Sequence, residues 1–345
     1  MAWGVKGGRG VEDLVERLAR DDPSLTSLHV FASRKFGREE AQKLCQALRS
    51  NTTLKELYAS GHHLTPQTAG MLGAMLAANT SLVSICLGDD ALGDAGVQEL
   101  VDGIKENSTL QKLDLENKGI SSKGAASIAA AIHGHQSLQQ LVLAHNHLSD
   151  EGVRLLQPAL ALLRRLDLRE CNIGSQGAQC IATALRETDS LEVLRLDDNP
   201  LAEQGGSTLA AGVWQCQSLR ELHLCNTGIG DEGLSRLAQA LPHASQLTYL
   251  DVSACSIGVG GSYTAKLIIT RSGPGRESGW HTGPELPSIL EAVQQQGVTP
   301  ALKVLIIGGN PAAQTDSFSE LVAKTRAARP SLDIAWQATD PGQGE

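Results

Sequence analysis

Hydrophobic and polar residues alternate along the chain in an eleven-residue segment that returns many times. Leu, Ile or Val occupies positions 1, 4, 6 and 11 of the clear copies, apart from Ala59 at one position 6, and Asn or Cys often occupies position 9. Eight clear copies share this pattern and begin at Leu54, Leu82, Leu110, Leu138, Leu163, Leu191, Leu219 and Leu247. Weaker copies begin at Leu25 and Leu302. Ten tandem copies make an internal repeat the dominant signal of the sequence.

Each copy predicts a strand followed by a helix. Within the segment the apolar positions alternate with polar ones, which is typical of a short strand with one buried face. After position 11 the apolar residues take helical spacing, as at Leu234, Leu237 and Leu241. Acidic residues such as Asp94 and Asp231 come where these helices begin, and they favour a helix N-terminus. A single unit cannot bury its own apolar face, so the units are expected to stack.

The pattern resembles that of leucine-rich repeat proteins of the ribonuclease-inhibitor-like subfamily, over roughly residues 25–336. The Gly-Asp-x-Gly steps at 93–96 and 230–233 are similar to those in repeats of NLR-type receptors. The resemblance implies an α/β leucine-rich repeat solenoid, a horseshoe with a parallel β-sheet on the concave face and α-helices on the convex face.

The sequence predicts three regions along the chain. Residues 1–24 hold an N-terminal tail and a capping helix, residues 25–329 hold about ten repeats, and residues 330–345 hold a capping strand and a tail. The spacing of 55 residues between Leu247 and Leu302 implies an insertion near 261–285, which is either disordered or inert, or else a partner-binding loop.

One short stretch spells His145-Asn146-His147, the name of a nuclease motif. Asn146 falls at position 9 of its repeat, and the resemblance implies a structural role there, bonding backbone groups at the end of the strand. The chain shows no further metal ligands beside these histidines and no basic groove. We therefore expect no metal, no cofactor and no catalytic residues, and we expect that the protein is not an enzyme.

Composition narrows the class of partner. The chain carries 29 Lys and Arg against 38 Asp and Glu, a net charge of −9, which is the opposite of what a nucleic-acid-binding protein usually shows. Its apolar runs are too short for a membrane helix. Seven cysteines without a pairing or metal-binding pattern favour a reducing compartment. A monomeric, cytoplasmic protein that binds neither nucleic acid nor membrane is expected.

Side chains at positions 3, 5 and 7 are expected to point away from the helices, on the concave face. A mixed-charge stripe flanked by aromatic residues is predicted there, comprising Tyr58, Asp114, Glu116, Arg165, Asp167, Arg169, Arg195, Asp197, His223 and Tyr249. Arg and aromatic residues are typical anchors of protein interfaces. Neighbouring opposite charges could also simply pair with one another across strands.

The leading hypothesis is a non-enzymatic scaffold or regulator that binds a protein partner through this concave face. The alternative is a GTPase-activating protein of the Ran-activator type, which is built on similar repeats. An exposed residue such as Arg195 could contribute to either activity, and the sequence names no partner.

Overall fold

The computed structural model describes residues 11–256, 288–294, 301–310 and 316–336. The insertion predicted near 261–285 lies outside the described residues. The chain divides into two compact units, Met1–Asn172 and Ile173–Glu345.

The first unit alternates helices with parallel strands. Its strands are β1 (Ser27–His29), β2 (Glu56–Ser60), β3 (Ser84–Gly88), β4 (Lys112–Asp114), β5 (Gln140–Val142) and β6 (Arg165–Asp167). Its helices are α1 (Glu12–Ala19), α2 (Arg38–Leu48), α3 (Pro66–Ala78), α4 (Gly93–Glu106), α5 (Ser122–Ile132) and α6 (Ser149–Leu160). Each strand pairs in parallel with the next one along the chain.

The second unit repeats this organisation. Its strands are β7 (Val193–Arg195), β8 (Glu221–His223), β9 (Tyr249–Asp251), β10 (Val304–Ile306) and β11 (Asp333–Ala335). Its helices are α7 (Ser175–Glu187), α8 (Ala202–Gln215), α9 (Gly230–Ala240), α10 (Ser288–Gln294) and α11 (Asp316–Ala328). The strands again pair in parallel with their neighbours in chain order. The predicted α/β leucine-rich repeat solenoid is confirmed.

The repeat pattern explains the core. Leucines at positions 4 and 6, such as Leu113 and Leu115, are 1% exposed, and the helices cover them with their own apolar residues. On α4 these are Val97, Leu100 and Ile104, each 1% exposed. Full burial of one such side chain stabilises the fold by about 1.5–3 kcal/mol. Polar positions between the leucines remain on the other face of each sheet, called here the strand face.

Asn146 has the structural role that was expected of position 9. Its Nδ2 donates to the carbonyls of Leu115 (2.8 Å) and Leu143 (2.9 Å), and its Oδ1 accepts from the N–H groups of Lys118 and Ile120, both at 3.0 Å. Asn199 and Asn310 make equivalent bonds in the second unit. These position-9 side chains form a ladder in which a residue of one repeat bonds backbone groups of the preceding one.

A second ladder, which the sequence analysis missed, runs where the helices end. Asn79 lies three residues before Leu82, accepts the Leu82 N–H at 2.7 Å, and donates to the Leu48 carbonyl of the preceding repeat at 2.6 Å. Asn51 and Asn107 make the same pair of contacts. The signal was present in the sequence, since an Asn precedes the opening leucine by three residues in three consecutive copies.

The repeat between Leu138 and Leu163 is 25 residues long, three shorter than its neighbours. Helix α6 contains Pro158 and ends at Leu160. Leu160 lies three residues before Leu163, at the position that Asn occupies in the second ladder. The Leu163 N–H therefore donates to the Leu160 backbone carbonyl, at 3.3 Å, and not to an Asn side chain. The strand register is kept, with Leu141 opposite Leu166. The shortening is therefore absorbed between strands, and it does not shift them.

Glycines allow neighbouring helices to approach closely. A Cβ on Gly103 of α4 would overlap the carbonyl oxygen of Gly73 on α3. Gly212 of α8 stands in a similar position, since its Cβ would come 2.7 Å from the Cα of Ala182 on α7.

Candidate protein-binding surface

Strand pairing places the position-5 side chains in rows across the strand face. In the first unit His29, Tyr58, Cys86, Asp114, Val142 and Asp167 occupy consecutive register positions. In the second unit the row is Arg195, His223, Asp251 and Ile306. The predicted binding residues therefore fall into two groups, one in each unit.

Aromatic rings stack at the N-terminal end of the first row. The rings of His29 and Tyr58 lie 4.5 Å apart and nearly parallel, and the ring of Phe31 stacks with that of His29 at 6.1 Å. Phe31 is 44% exposed. An exposed aromatic side chain on this face offers apolar contact area with little conformational entropy to lose on binding.

A charge network centred on Arg169 occupies the other end of this row. The Arg169 guanidinium donates to both carboxylate oxygens of Asp167 at 2.8–3.0 Å and lies 3.9 Å from Glu116. His145 lies 3.6 Å from Glu116 and 2.7 Å from Glu170. We call these five residues the Arg169 network. Its opposite charges pair internally, as the second interpretation of the stripe expected.

Two further predicted residues lie beside this network. Asp114 pairs with Lys112 at 3.3 Å, and Arg165 is exposed at the start of β6. Lys118, which the sequence analysis missed, replaces Asn at position 9 and is 3% exposed. Its Nζ donates to the Glu116 carbonyl at 2.7 Å and to Ser60 Oγ at 3.1 Å.

In the second unit the candidate residues surround His223. The His223 ring stacks on Tyr249 at 4.5 Å, and its Nε2 lies 3.6 Å from a Glu221 oxygen. One ligand-capable atom each of Asp197, His223 and Asp251 lies within 4.8 Å of the other two. Asp197 and His223 are only 8% exposed. This His223 cluster is thus more enclosed than a stripe of solvated side chains.

Burial shifts the titration of this cluster. Loss of solvation raises the pKa of Asp197 and lowers the pKa of His223, although each partly compensates the other through its charge. The pKa of Tyr249 is also raised by burial. The repeat pattern places Asp251 at position 5, on a strand. Asp197 lies in the turn after β7, and the pattern does not specify the conformation of that turn, so the proximity of the two carboxylates could not be predicted.

The cysteines show no sign of activation. Burial raises the pKa of both Cys45 and Cys171 to about 12, so both thiols stay protonated at neutral pH. Cys171 and Cys255 occupy position 9, and their thiols donate to the backbone carbonyls of Leu143 and Leu224 in the preceding repeats, as the position-9 asparagines do.

No helix among the described residues is long and apolar enough to cross a bilayer. The grouping of potential metal ligands found in the described part of the chain does not include His145 or His147.

Comparison with known proteins agrees with the fold. The TMOD/LMOD leucine-rich domain model matches residues 9–121, and a leucine-rich repeat model matches 134–156, 160–182 and 215–238. A Caenorhabditis elegans protein phosphatase 1 regulatory subunit 37 homolog is 32% identical over 97 residues, 28% of this chain and 10% of that protein. Mouse ribonuclease inhibitor is 35% identical over 83 residues, 24% of this chain and 18% of the inhibitor.

Among solved structures, the TLR13–ssRNA13 complex aligns over 86% of this chain and 37% of that chain, with 16% identity and a TM-score of 0.46. The chain spans about a tenth of the length of the phosphatase regulatory subunit homolog. Its repeat segments, its alternating strands and helices and its matches to leucine-rich repeat models agree with one another. The chain is a leucine-rich repeat protein, and part of its repeat region is similar to ribonuclease inhibitor.

Proposed function

We propose that this chain is a protein-binding module whose strand face binds a protein partner. The observation that carries the proposal is the His29–Tyr58–Phe31 stack, which places a 44% exposed aromatic ring on the same sheet face as the Arg169 network. Aromatic and Arg side chains are the commonest anchors of protein interfaces. The similar proteins support a binding role, because their names describe a regulatory subunit and an inhibitor.

In this proposal the two ends of the face have different tasks. The aromatic stack supplies apolar contact area, and the Arg169 network supplies a fixed pattern of charge. Because the charges of that network are already paired, its contribution is to partner choice more than to affinity. Arg165, which is exposed beside the network at the start of β6, presents a further positive charge to a partner.

A matched pair of aromatic variants tests the proposal. Phe31 on the strand face and Trp214 on helix α8 are nearly equally exposed, at 44% and 43%. The wild-type chain, Phe31→Ala and Trp214→Ala would serve as baits in cell lysate and against purified protein phosphatase 1 and a purified ribonuclease. A partner captured by the wild type and by Trp214→Ala, but lost with Phe31→Ala, supports the strand face. A partner lost only with Trp214→Ala would place the interface on the helices instead.

We further propose that the partner is met in the cytoplasm and that the chain acts as a monomer. All seven cysteines are free thiols, which suits a reducing compartment. Fluorescence microscopy of the tagged chain and light scattering of the purified protein test these two statements. The Ran-type activator stays a prediction, and a GTP-hydrolysis assay over a panel of small GTPases would test it.

A further inference from the structure

We propose that Asp197, His223 and Asp251 form a binding site for a divalent transition-metal cation such as Zn²⁺. This inference goes beyond the proposed function and is independent of it, since a cation could bind whether or not the strand face also holds a protein. It departs from the expectation, drawn from the sequence, that the chain binds no metal, and that expectation is decided by the experiment below.

The three residues converge because the repeats stack in register. His223 of β8 pairs with Asp251 of β9, and Asp197 follows β7 by two residues on the other side. Their ligand-capable atoms lie within 4.8 Å of one another. Ligand atoms bonded to one zinc ion at about 2.0–2.2 Å lie about 3.5 Å from one another. Side-chain rotations that move the ligand atoms by about 1 Å would therefore bring them into coordinating positions.

His223 supplies an independent indication of a ligand. Only 10% of its side chain is exposed, and its Nε2 is fully buried without a hydrogen-bond partner in the described structure. A buried polar atom left unpaired costs about 1–3 kcal/mol, and such groups in folded proteins usually have a partner. Imidazole nitrogen is a preferred ligand of zinc and related cations.

The carboxylates are held by bonds that leave one oxygen of each for a cation. Asp197 accepts the Cys225 N–H through Oδ1 at 2.9 Å, and Asp251 accepts the N–H and the hydroxyl of Ser253 through Oδ1 at 2.9 and 2.6 Å. Such outer bonds orient metal-binding carboxylates in known sites. In both residues Oδ2 is then the oxygen that these bonds leave for coordination.

The local charge also favours a cation. Asp197, Asp251 and Glu221 bring three carboxylates to His223, whereas Arg195 on β7 brings one positive charge. A divalent ion would balance the excess negative charge, and Glu221, 3.6 Å from Nε2, could add a fourth ligand. Two or three oxygens and one nitrogen suit Zn²⁺ or Mn²⁺ better than a soft, thiolate-bound ion.

Titration of the intact, chelator-treated chain with ZnCl2 by isothermal calorimetry tests the site. We expect one ion per chain and a rise in the melting temperature, because the ion binds the folded state. His223→Gln and Asp251→Asn should each weaken binding by at least about tenfold, the loss typical even for outer-shell partners. His145→Gln is the matched control, because His145 is also flanked by carboxylates, and it should leave the affinity unchanged.

Three results would overturn the proposal: no saturable one-to-one binding by the wild type, unchanged affinity in both site variants, or loss of binding in His145→Gln. Circular dichroism would establish that each variant is folded. If neither site variant folds, the visible spectrum of the wild-type chain with Co²⁺ decides. Bands typical of nitrogen and oxygen ligands support the site, and a thiolate charge-transfer band would show that cysteines bind the ion instead.

Discussion

Position 8 of most repeats takes the left-handed backbone conformation as the chain leaves the strand, with several kinds of side chain. In the repeat that begins at Leu82, Gly88 at position 7 takes it instead. Gly61 and Gly309 adopt it without cost, but His145, Glu170 and Ala254 also have φ values between 50° and 57°. The next residue, at position 9, then points its side chain back into the ladder. Strain at one position and hydrogen bonding at the next are therefore two parts of one turn.

We expect Asn146→Ala to lower the free energy of unfolding by about 3 kcal/mol, because it leaves two buried N–H groups and a buried carbonyl without partners. Urea denaturation would measure the loss. His147→Ala, one residue away and exposed, should change stability little. Equal effects of the two variants would contradict the structural role of Asn146.

We expect Ala254→Gly to raise the free energy of unfolding by about 1 kcal/mol. Ala254 has φ +51°, where a Cβ is unfavourable and glycine is not. Ala130→Gly, at an exposed site inside α5, is the opposite control and should lower stability by about 0.5–1 kcal/mol. The sign of the difference, read from thermal or urea unfolding, decides the prediction.

At the scale of elements, the helices set how closely the repeats stack. Helices α3 and α4 contact each other through glycines, and helices α7 and α8 contact each other through a glycine and an alanine. Asp94 adds a polar contact between neighbouring repeats. Its Oδ1 accepts the N–H groups of Ser121 (2.8 Å) and Gly124 (3.0 Å) at the start of α5. The aspartate of the Gly-Asp-x-Gly step thus caps the helix of the following repeat.

We expect Gly103→Ala to lower the free energy of unfolding by about 1–3 kcal/mol, although alanine has the higher helix propensity. The added methyl group would overlap the Gly73 carbonyl and force α3 and α4 apart. Asp102→Ala, exposed on the same turn, should leave stability almost unchanged. A neutral or stabilising Gly103→Ala would mean that the helices adjust freely.

At the scale of the whole molecule, stability is distributed over contacts between neighbouring repeats. The first of these contacts involves α1, where Asp13 accepts two hydrogen bonds from Arg34 at 2.8 and 3.2 Å. The Arg34 side chain is 5% exposed, so this pair neutralises a buried guanidinium. The Asn51 side chain, which bonds the Leu18 carbonyl, attaches the end of the same helix.

We expect Asp13→Asn to lower the free energy of unfolding at neutral pH by about 1.5–3 kcal/mol, the value of hydrogen bonds to a charged group. The Arg34 bonds lower the pKa of Asp13 from 3.8, so its stabilisation is present above that pH and is lost as the pH falls through the folded-state value. The variant should therefore show a weaker loss of stability in acid. Glu12→Gln, which removes an exposed pair with Lys43, is the control and should have no resolvable effect.

The fold could be predicted from the sequence because the same pattern of apolar positions recurs in every repeat. A copy that matches the pattern weakly can therefore be assigned from its neighbours. It predicted Asn146 for the same reason. Contacts between side chains of different repeats could not be predicted in this way, because they depend on side-chain conformation. Examples are the hydrogen bond from Lys118 to Ser60 and the approach of Asp197 to Asp251 beside His223. Arg165 was placed on the strand face by its repeat position alone, and whether Arg165 or Phe31 binds a partner stays a prediction.

The two ladders also bear on how the length of such a gene can change. Asn79 bonds the Asn51 carbonyl 28 residues earlier, and Asn107 bonds the Asn79 carbonyl at the same separation. Losing one codon between two such asparagines would shorten the separation that the bond between them spans, whereas duplicating or deleting a whole 28-residue unit would keep that separation. Exchange of whole repeats therefore keeps this bond, and a repeat of another length must do without it. The 25-residue repeat fits this rule, because Leu160 has no side-chain hydrogen bond for a deletion to break.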